Sequence, residues 1–235
     1  MLSLRRAGQI TIIAIGIAVA VVTGNGGFRG DPTNDQQSPA DQPSGFDFYV
    51  LALSWSPAFC LTDAGKNSPL QCGPDAEFGF ITHGLWPQFD DGWPSFCQTD
   101  YGDPPPDSVV DTLLPSMPDR GLIEHQWDKH GTCTGLSPAA YALATIAARD
   151  AIAIPGALLP DGGGHQLPQR LDASDIETAF LSVNSGLRRD GIAVQCRNGR
   201  LTEVRVCLTT DLDPRTCQQV DRNGCTQSNL EIVPP

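Results

Sequence analysis

The sequence predicts an α+β domain in which helices pack on a central antiparallel sheet and disulfides stabilise the whole. Three observations lead there. A run of β-formers, Phe46 to Ser54, reads as a buried strand. Two more such runs, Ile192 to Cys196 and Leu201 to Leu208, flank Asn198-Gly199, the dipeptide that favours a tight hairpin turn. Helix-start signals lie between these strands, and all eight cysteines fall between positions 60 and 225.

Taken in order, Met1 to Arg6 is basic and Ile10 to Val22 is apolar apart from Thr11 and Gly16. That is the layout of an export signal over residues 1–23, and the run is short of the ~18–20 residues that a membrane span wants. The one A-x-A site, Ala18-Val19-Ala20, lies inside the apolar run. An uncleaved N-terminal membrane anchor therefore stands beside a cleaved signal peptide, and both place the body outside the cytoplasm. Residues 24–45, rich in Gly, Pro, Asp, Gln and Ser, have little to bury and read as a disordered tether. No second tether follows, so residues 46–235 form one domain, taken as a monomer.

Within that domain, Pro57 to Pro74 reads as a disulfide-tied loop, and Phe78 to Thr82 as a short strand that delivers His83 at its end. Phe89 to Pro118 reads as loop, punctuated by Pro104-Pro105-Pro106. Ser137-Pro138 pairs an N-cap with a first-turn proline and opens a helix to about Ala151. Pro155 to Gln169 is a Gly/Pro loop carrying His165, a solvated residue. Ser174-Asp175-Ile176-Glu177 has the form of a capping box opening a helix that ends near Asn184-Ser185-Gly186.

With 40% apolar residues, a chain of 235 can bury a substantial core. Eight cysteines suit an oxidising compartment, but by themselves leave 105 pairings open, and no C-x-x-C cluster suggests a metal. The chain carries 15 basic and 27 acidic residues, a formal −12. Without Arg5, Arg6 and Arg29 the exported part has twelve basic residues against 27 acidic, a formal −15. Binding to nucleic acid is ordinarily driven by lysines and arginines neutralising phosphates, and no basic run exists here. This excludes a general RNA-binding module and leaves room for an enzyme with a small cationic pocket.

The chemistry concentrates in Leu122-Ile123-Glu124-His125-Gln126-Trp127-Asp128-Lys129-His130-Gly131-Thr132-Cys133. On a helix, His125 stacks with Lys129 and Gln126 with His130, as two adjacent polar stripes. Trp127 would anchor the segment, Gly131 would end it in a left-handed cap, and Cys133 would tie that end down. A solvated face is the ordinary account of a charged helix, yet it fits poorly where His and Trp cluster with Cys. A zinc site fits poorly too, because the histidines are five apart, about 140° around a helix, where H-E-x-x-H sets them on one face. The remaining reading is acid–base catalysis on a phosphate ester. It needs a further histidine, which Phe78-Gly79-Phe80-Ile81-Thr82-His83-Gly84-Leu85-Trp86-Pro87-Gln88 supplies, with Gly84 permitting close approach.

Together, HGLWP at 83–87 and EHQWDKHGTC at 124–133 resemble the two active-site segments of the ribonuclease T2 family, and the likeness runs over roughly residues 46 to 225. The resemblance implies an endoribonuclease acting on single-stranded RNA through a 2′,3′-cyclic phosphate, with no metal or cofactor and no action on DNA, which lacks the 2′-hydroxyl nucleophile. It implies His130 as general base, His83 as general acid, His125 as the phosphate holder, Lys129 as stabiliser of the pentacovalent state and Trp86 as the ring on which a base stacks. It also implies the pairings Cys60–Cys72, Cys97–Cys133, Cys196–Cys225 and Cys207–Cys217. Three positions depart from the pattern. Gln126 stands where a glutamate is usual, Leu122 where many members carry an aromatic, and Gln88 where some carry an acid. The first bears on rate and the other two on base preference. A degenerate ribonuclease kept for binding or toxicity, and a metal-dependent phosphoesterase, are the competing functions.

Overall fold

The computed structural model describes residues 45–160 and 169–235. The expected leader (1–23), nearly all of the tether (24–45) and His165 lie outside the described residues. A six-stranded sheet organises the rest, with β1 (Phe48–Trp55) and β5 (Arg200–Leu208) at its centre. β2 (Phe80–Gln88) pairs with β1, and β4 (Ile192–Arg197) pairs with β5, all antiparallel. Two-residue strands β3 (Arg170–Leu171) and β6 (Leu230–Glu231) extend it, and β6 meets β5 in parallel at Arg200↔Glu231, so the expected antiparallel sheet is mixed at one edge.

Both faces of β1 are buried, and alternation along the strand separates two tasks. Tyr49, Leu51, Leu53 and Trp55 enter the main core with Leu85, Val204, Val206 and Leu208. Phe48 and Val50 join Ala193, Cys207, Cys217 and Val220 in a smaller cluster against which Trp86 packs. Ala52 and Ser54 continue that second face toward the strand end, and their small side chains leave the sheet open there.

Two irregularities set the register. Between Ala52 and Leu53 the β1–β2 pairing shifts: Ala52 faces Gly84 and Leu53 faces Thr82, so His83 is the unpaired residue of a bulge. His83 therefore lies inside a nine-residue strand, not at the end of a short one as its sequence predicts. On β5, Thr202 is skipped in the same way, since Cys196 faces Leu201 and Gln195 faces Glu203. The β1–β5 pairing runs without a break, and it sets Glu203 opposite Ser54 and Arg205 opposite Ala52, on their face of the sheet.

Seven α-helices surround the sheet in the described residues. The segment expected to be a plain loop after β1 holds α1 (Ser56–Cys60) and α2 (Pro69–Cys72), both opened by proline in the first turn. α3 (Asp107–Leu113) follows directly on the three prolines, where loop was expected; Val109, Val110 and Leu113 bury against Ile123 and Ala142. α4 (Arg120–Lys129) carries the histidine-rich stretch, and its cap is Asp119, whose carboxylate accepts from the Leu122 amide at 2.9 Å. α5 (Pro138–Ala151) starts where predicted, with Ser137 Oγ accepting from the Ala140 amide.

α6 (Ala173–Val183) begins at Asp172 and makes no side-chain cap bond, so the expected capping box is absent. The Asp172 carboxylate accepts instead from the Asn229 amide. α7 (Gln218–Arg222) closes the second core cluster through Val220. At the β4–β5 turn both Asn198 (φ 53°) and Gly199 (φ 74°) are left-handed, the pairing a two-residue hairpin requires.

The eight cysteines form four bridges, Cys60–Cys72, Cys97–Cys133, Cys196–Cys225 and Cys207–Cys217. Each contributes on the order of 2–4 kcal/mol by restricting the unfolded chain. Among the described residues no helix is long and apolar enough to cross a membrane.

Candidate active site

α4 lies across β2, and its end assembles the site. The helix stops at Lys129; His130 leaves it at φ −120°, and Gly131–Thr134 form a 3₁₀ turn. The left-handed residue comes later, at Gly135 (φ 73°), so Gly131 is not the cap expected of it. Gly131 is required for space, because a Cβ there would run into the rings of Trp127 and Tyr141. Trp127 is buried in the core and donates its indole N–H to the Gly102 carbonyl at 3.2 Å. Tyr141 on α5 donates its hydroxyl to the Leu85 carbonyl at 2.9 Å, two residues from His83. The Cys97–Cys133 bridge and the Phe96 amide, which donates to the Lys129 carbonyl at 2.9 Å, hold the helix end to the preceding loop.

Trp86 is the hinge between strand and helix. Its N–H donates to Gln126 Oε1 at 2.6 Å. Its ring stacks with His130 at 5.2 Å between centroids and 24° between planes, while His83 meets it edge-on, also at 5.2 Å. The Arg205 guanidinium lies over the same indole, 5.1 Å from its centroid. Gly84 makes this possible, since a Cβ there would fall on the Gln126 amide and the Trp86 nitrogen. The close approach that Gly84 permits is thus filled by this chain's own amide.

The four expected proton and phosphate groups do come together. His130 is buried, and Lys129, His83 and His125 are near enough to act on it electrostatically. Burial first, then the electrostatic effect of those three neighbours, Lys129 foremost, push its imidazole down to about 3. His130 is therefore neutral near neutral pH. Its Nδ1 is buried without a hydrogen-bond partner. His125 is exposed at the opening, with Phe96 beside it at 6.2 Å. Next to His83 a cavity of about 280 Å³ is lined by Phe59, Ser68, Gln71, Asp119 and Leu122. Gln88 is buried and donates to the Pro87 carbonyl.

Two residues in contact with this site escape a reading of the two motifs. Glu203, buried on β5, accepts from His83 Nδ1 through Oε2 at 2.5 Å, and from Arg205 Nε through Oε1 at 2.7 Å. Burial alone would raise its carboxyl; the hydrogen bond and charge of His83, then Arg205, outweigh that and hold it below the ordinary carboxylate range. The available signal was a Glu and an Arg two apart in a strand, with Val204 between them and Val206, Cys207 and Leu208 following. Among the described residues, no group of three or more His, Cys, Asp or Glu side chains is arranged to hold a metal ion.

Fold and site together define a disulfide-stabilised α+β domain that gathers two imidazoles against one indole. The model of the ribonuclease T2 family matches residues 46–217. A ribonuclease of Aeromonas hydrophila is 35% identical over 184 residues, covering 73% of this chain and 76% of its own. Ribonuclease 1 of Arabidopsis thaliana is 28% identical over 191 residues, covering 73% and 79%. Of solved structures, RNase NT in complex with 5′-AMP aligns with a TM-score of 0.62 at 22% identity, over 81% of this chain and 98% of that one. An RNase-related protein from Calystegia sepium aligns equally well, with a TM-score of 0.62 at 22% identity, again over 81% and 98%. The chain belongs to the ribonuclease T2 family, and it is an endoribonuclease of the T2 type.

Proposed function

We propose that this enzyme is exported and cleaves single-stranded RNA without a metal, by transphosphorylation through a 2′,3′-cyclic phosphate. The observation that carries the reading is that His83 and His130 both rest against Trp86, one edge-on and one stacked, each 5.2 Å from it, with His130 held neutral. Cleavage needs one group to take a proton and another to give one. His130 accepts the 2′-hydroxyl proton as that oxygen attacks phosphorus. His83 protonates the 5′-oxygen as the P–O5′ bond breaks, which leaves a 5′-hydroxyl and the cyclic phosphate. Water then opens the ring with the two roles reversed.

Lys129 and His125, four apart on α4, supply positive charge for the phosphoryl oxygens, and the Gln126 NH₂ adds a neutral donor. Trp86 is half-buried, so what it offers a base is the part of the ring that His130 and Arg205 leave uncovered. The cavity beside His83, with Phe59 and Leu122 as its apolar walls, suits the nucleoside on the leaving side. Export is supported by the basic start followed by an apolar run at Ile10 to Val22, and by four disulfides in the body.

The test is the full chain with single-stranded RNA in excess chelator, with product ends identified. Cyclic phosphates turning into 3′-phosphates are expected, and both His83→Ala and His130→Ala should lose at least about 10²-fold in rate. Dependence on added metal, or 5′-phosphate ends, would overturn the reading.

A further inference from the structure

We propose that Glu203 is a positioning residue for the acid, fixing the ring and tautomer of His83 so that Nε2 faces the leaving oxygen. This rests on the reading of His83 as the acid. Nδ1 is committed to Glu203 Oε2 at 2.5 Å, so Nε2 is the nitrogen left for substrate. When His83 gives its proton to the departing 5′-oxygen, the electron pair of the broken P–O5′ bond becomes the new O–H bond. The imidazole keeps its hydrogen on Nδ1, still donated to Glu203. Nε2 is then bare, as a base must be to activate water in the second step.

The surroundings are built for this role. Glu203 is 7% exposed, and burying a carboxylate in a sheet is costly unless partners compensate it. Its backbone is paired on both sides, to Ser54 of β1 and Gln195 of β4, which makes it a rigid support. Arg205 Nε fixes the second carboxylate oxygen at 2.7 Å, and Arg205 also lies over Trp86. His83 is two strands away from Glu203, and the small Ala52 and Ser54 between them leave the space its side chain crosses. The bulge at His83 puts its side chain on the face where Glu203 waits. Gln126 is neutral, and Glu203 supplies a negative charge in direct contact with His83. The carboxyl stays ionised because His83 and then Arg205 outweigh the effect of burial. The charged or titrating groups around His83 are Glu203 and Arg205 from β5, His125, Lys129 and His130 from the end of α4, and Asp119 across the cavity.

The experiment compares two substrates in the full chain: a dinucleotide, whose alkoxide leaving group needs a proton, and a nucleoside 3′-(4-nitrophenyl phosphate), whose leaving group does not. Glu203→Gln should lower kcat on the dinucleotide by about 10²-fold, with KM little changed, and recover most of that loss on the nitrophenyl ester. His83→Ala should show the same recovery, and the double variant should be no slower than His83→Ala alone. If His83→Ala is slowed equally on both substrates, His83 is not the acid and the proposal goes with it. If His83→Ala recovers but Glu203→Gln keeps full activity, slows both substrates alike, or adds to the His83→Ala loss, the proposal alone is overturned. Imidazole ¹⁵N spectra of the unsubstituted protein test it independently of any variant's folding. Neutral His83 should carry hydrogen on Nδ1, and the opposite tautomer would overturn the assignment.

Discussion

At Gln126 the orientation of the amide is settled by chemistry. An indole N–H can only donate, so the oxygen faces Trp86 and the NH₂ is left as the donor. A glutamate in its place accepts the same hydrogen bond and adds a negative charge close to His130. That imidazole is held at about 3 by burial and by its cationic neighbours, which makes it a weak base. An added carboxylate favours the imidazolium and so raises the pKa. Gln126→Glu should therefore speed cleavage by roughly 10-fold where the base is neutral and move the acid limb of the pH–rate profile to higher pH. An unmoved acid limb on a dinucleotide would refute this. The histidines, Lys129 and Gln126 were legible because they sit in two short motifs. Glu203 was not, because its partner lies 120 residues away and two strands over, and the bulge at His83 turns that side chain to the face of Glu203.

At the scale of elements, local signals sufficed where the chain folds on itself. The Ser137-Pro138 start and the Asn198-Gly199 turn both stand as read. They failed where tertiary packing decided. α3 forms after a triple proline because three apolar residues find α4 and α5, and Asp172 displaces the capping box because Asn229 is within reach. β2 runs past His83 because all eight residues of β1 keep pairing with it through the bulge, and Gly84 then receives α4. Gly84→Ala places a methyl on the Gln126 amide and the Trp86 nitrogen, an overpacking that costs about 1–3 kcal/mol. The thermal midpoint should fall and activity should drop with it, since Gln126, Trp86 and His130 move together. Truncating the obstacle is the control: in a Gln126→Ala background the same Gly84→Ala change should cost much less. Equal penalties in both backgrounds would mean that the crowding is relieved some other way.

For the molecule as a whole, stability and charge pull in different directions from the site. Four bridges at about 2–4 kcal/mol each compare with a typical total of about 5–15 kcal/mol. Full reduction should therefore unfold the body near ambient temperature, and an unchanged melting midpoint with eight free thiols would refute it. Cys97–Cys133 matters most for function, because it holds the end of α4 that carries Lys129 and His130. Charge sets how RNA arrives. The chain is formally −12, and its cationic groups near the scissile phosphate are few. A long RNA presents many phosphates to an acidic body, whereas a dinucleotide presents one to the cationic pocket. Added salt shortens the Debye length to about 8 Å at 0.15 M and screens the long-range repulsion first. The kcat/KM on long RNA relative to that on a dinucleotide should therefore rise with salt, opposite in sign to the fall that counterion release produces in basic RNA-binding proteins. Measuring both substrates across a salt series at fixed pH decides it. A ratio that falls steeply would reveal a basic track for the RNA backbone that the acidic composition argues against.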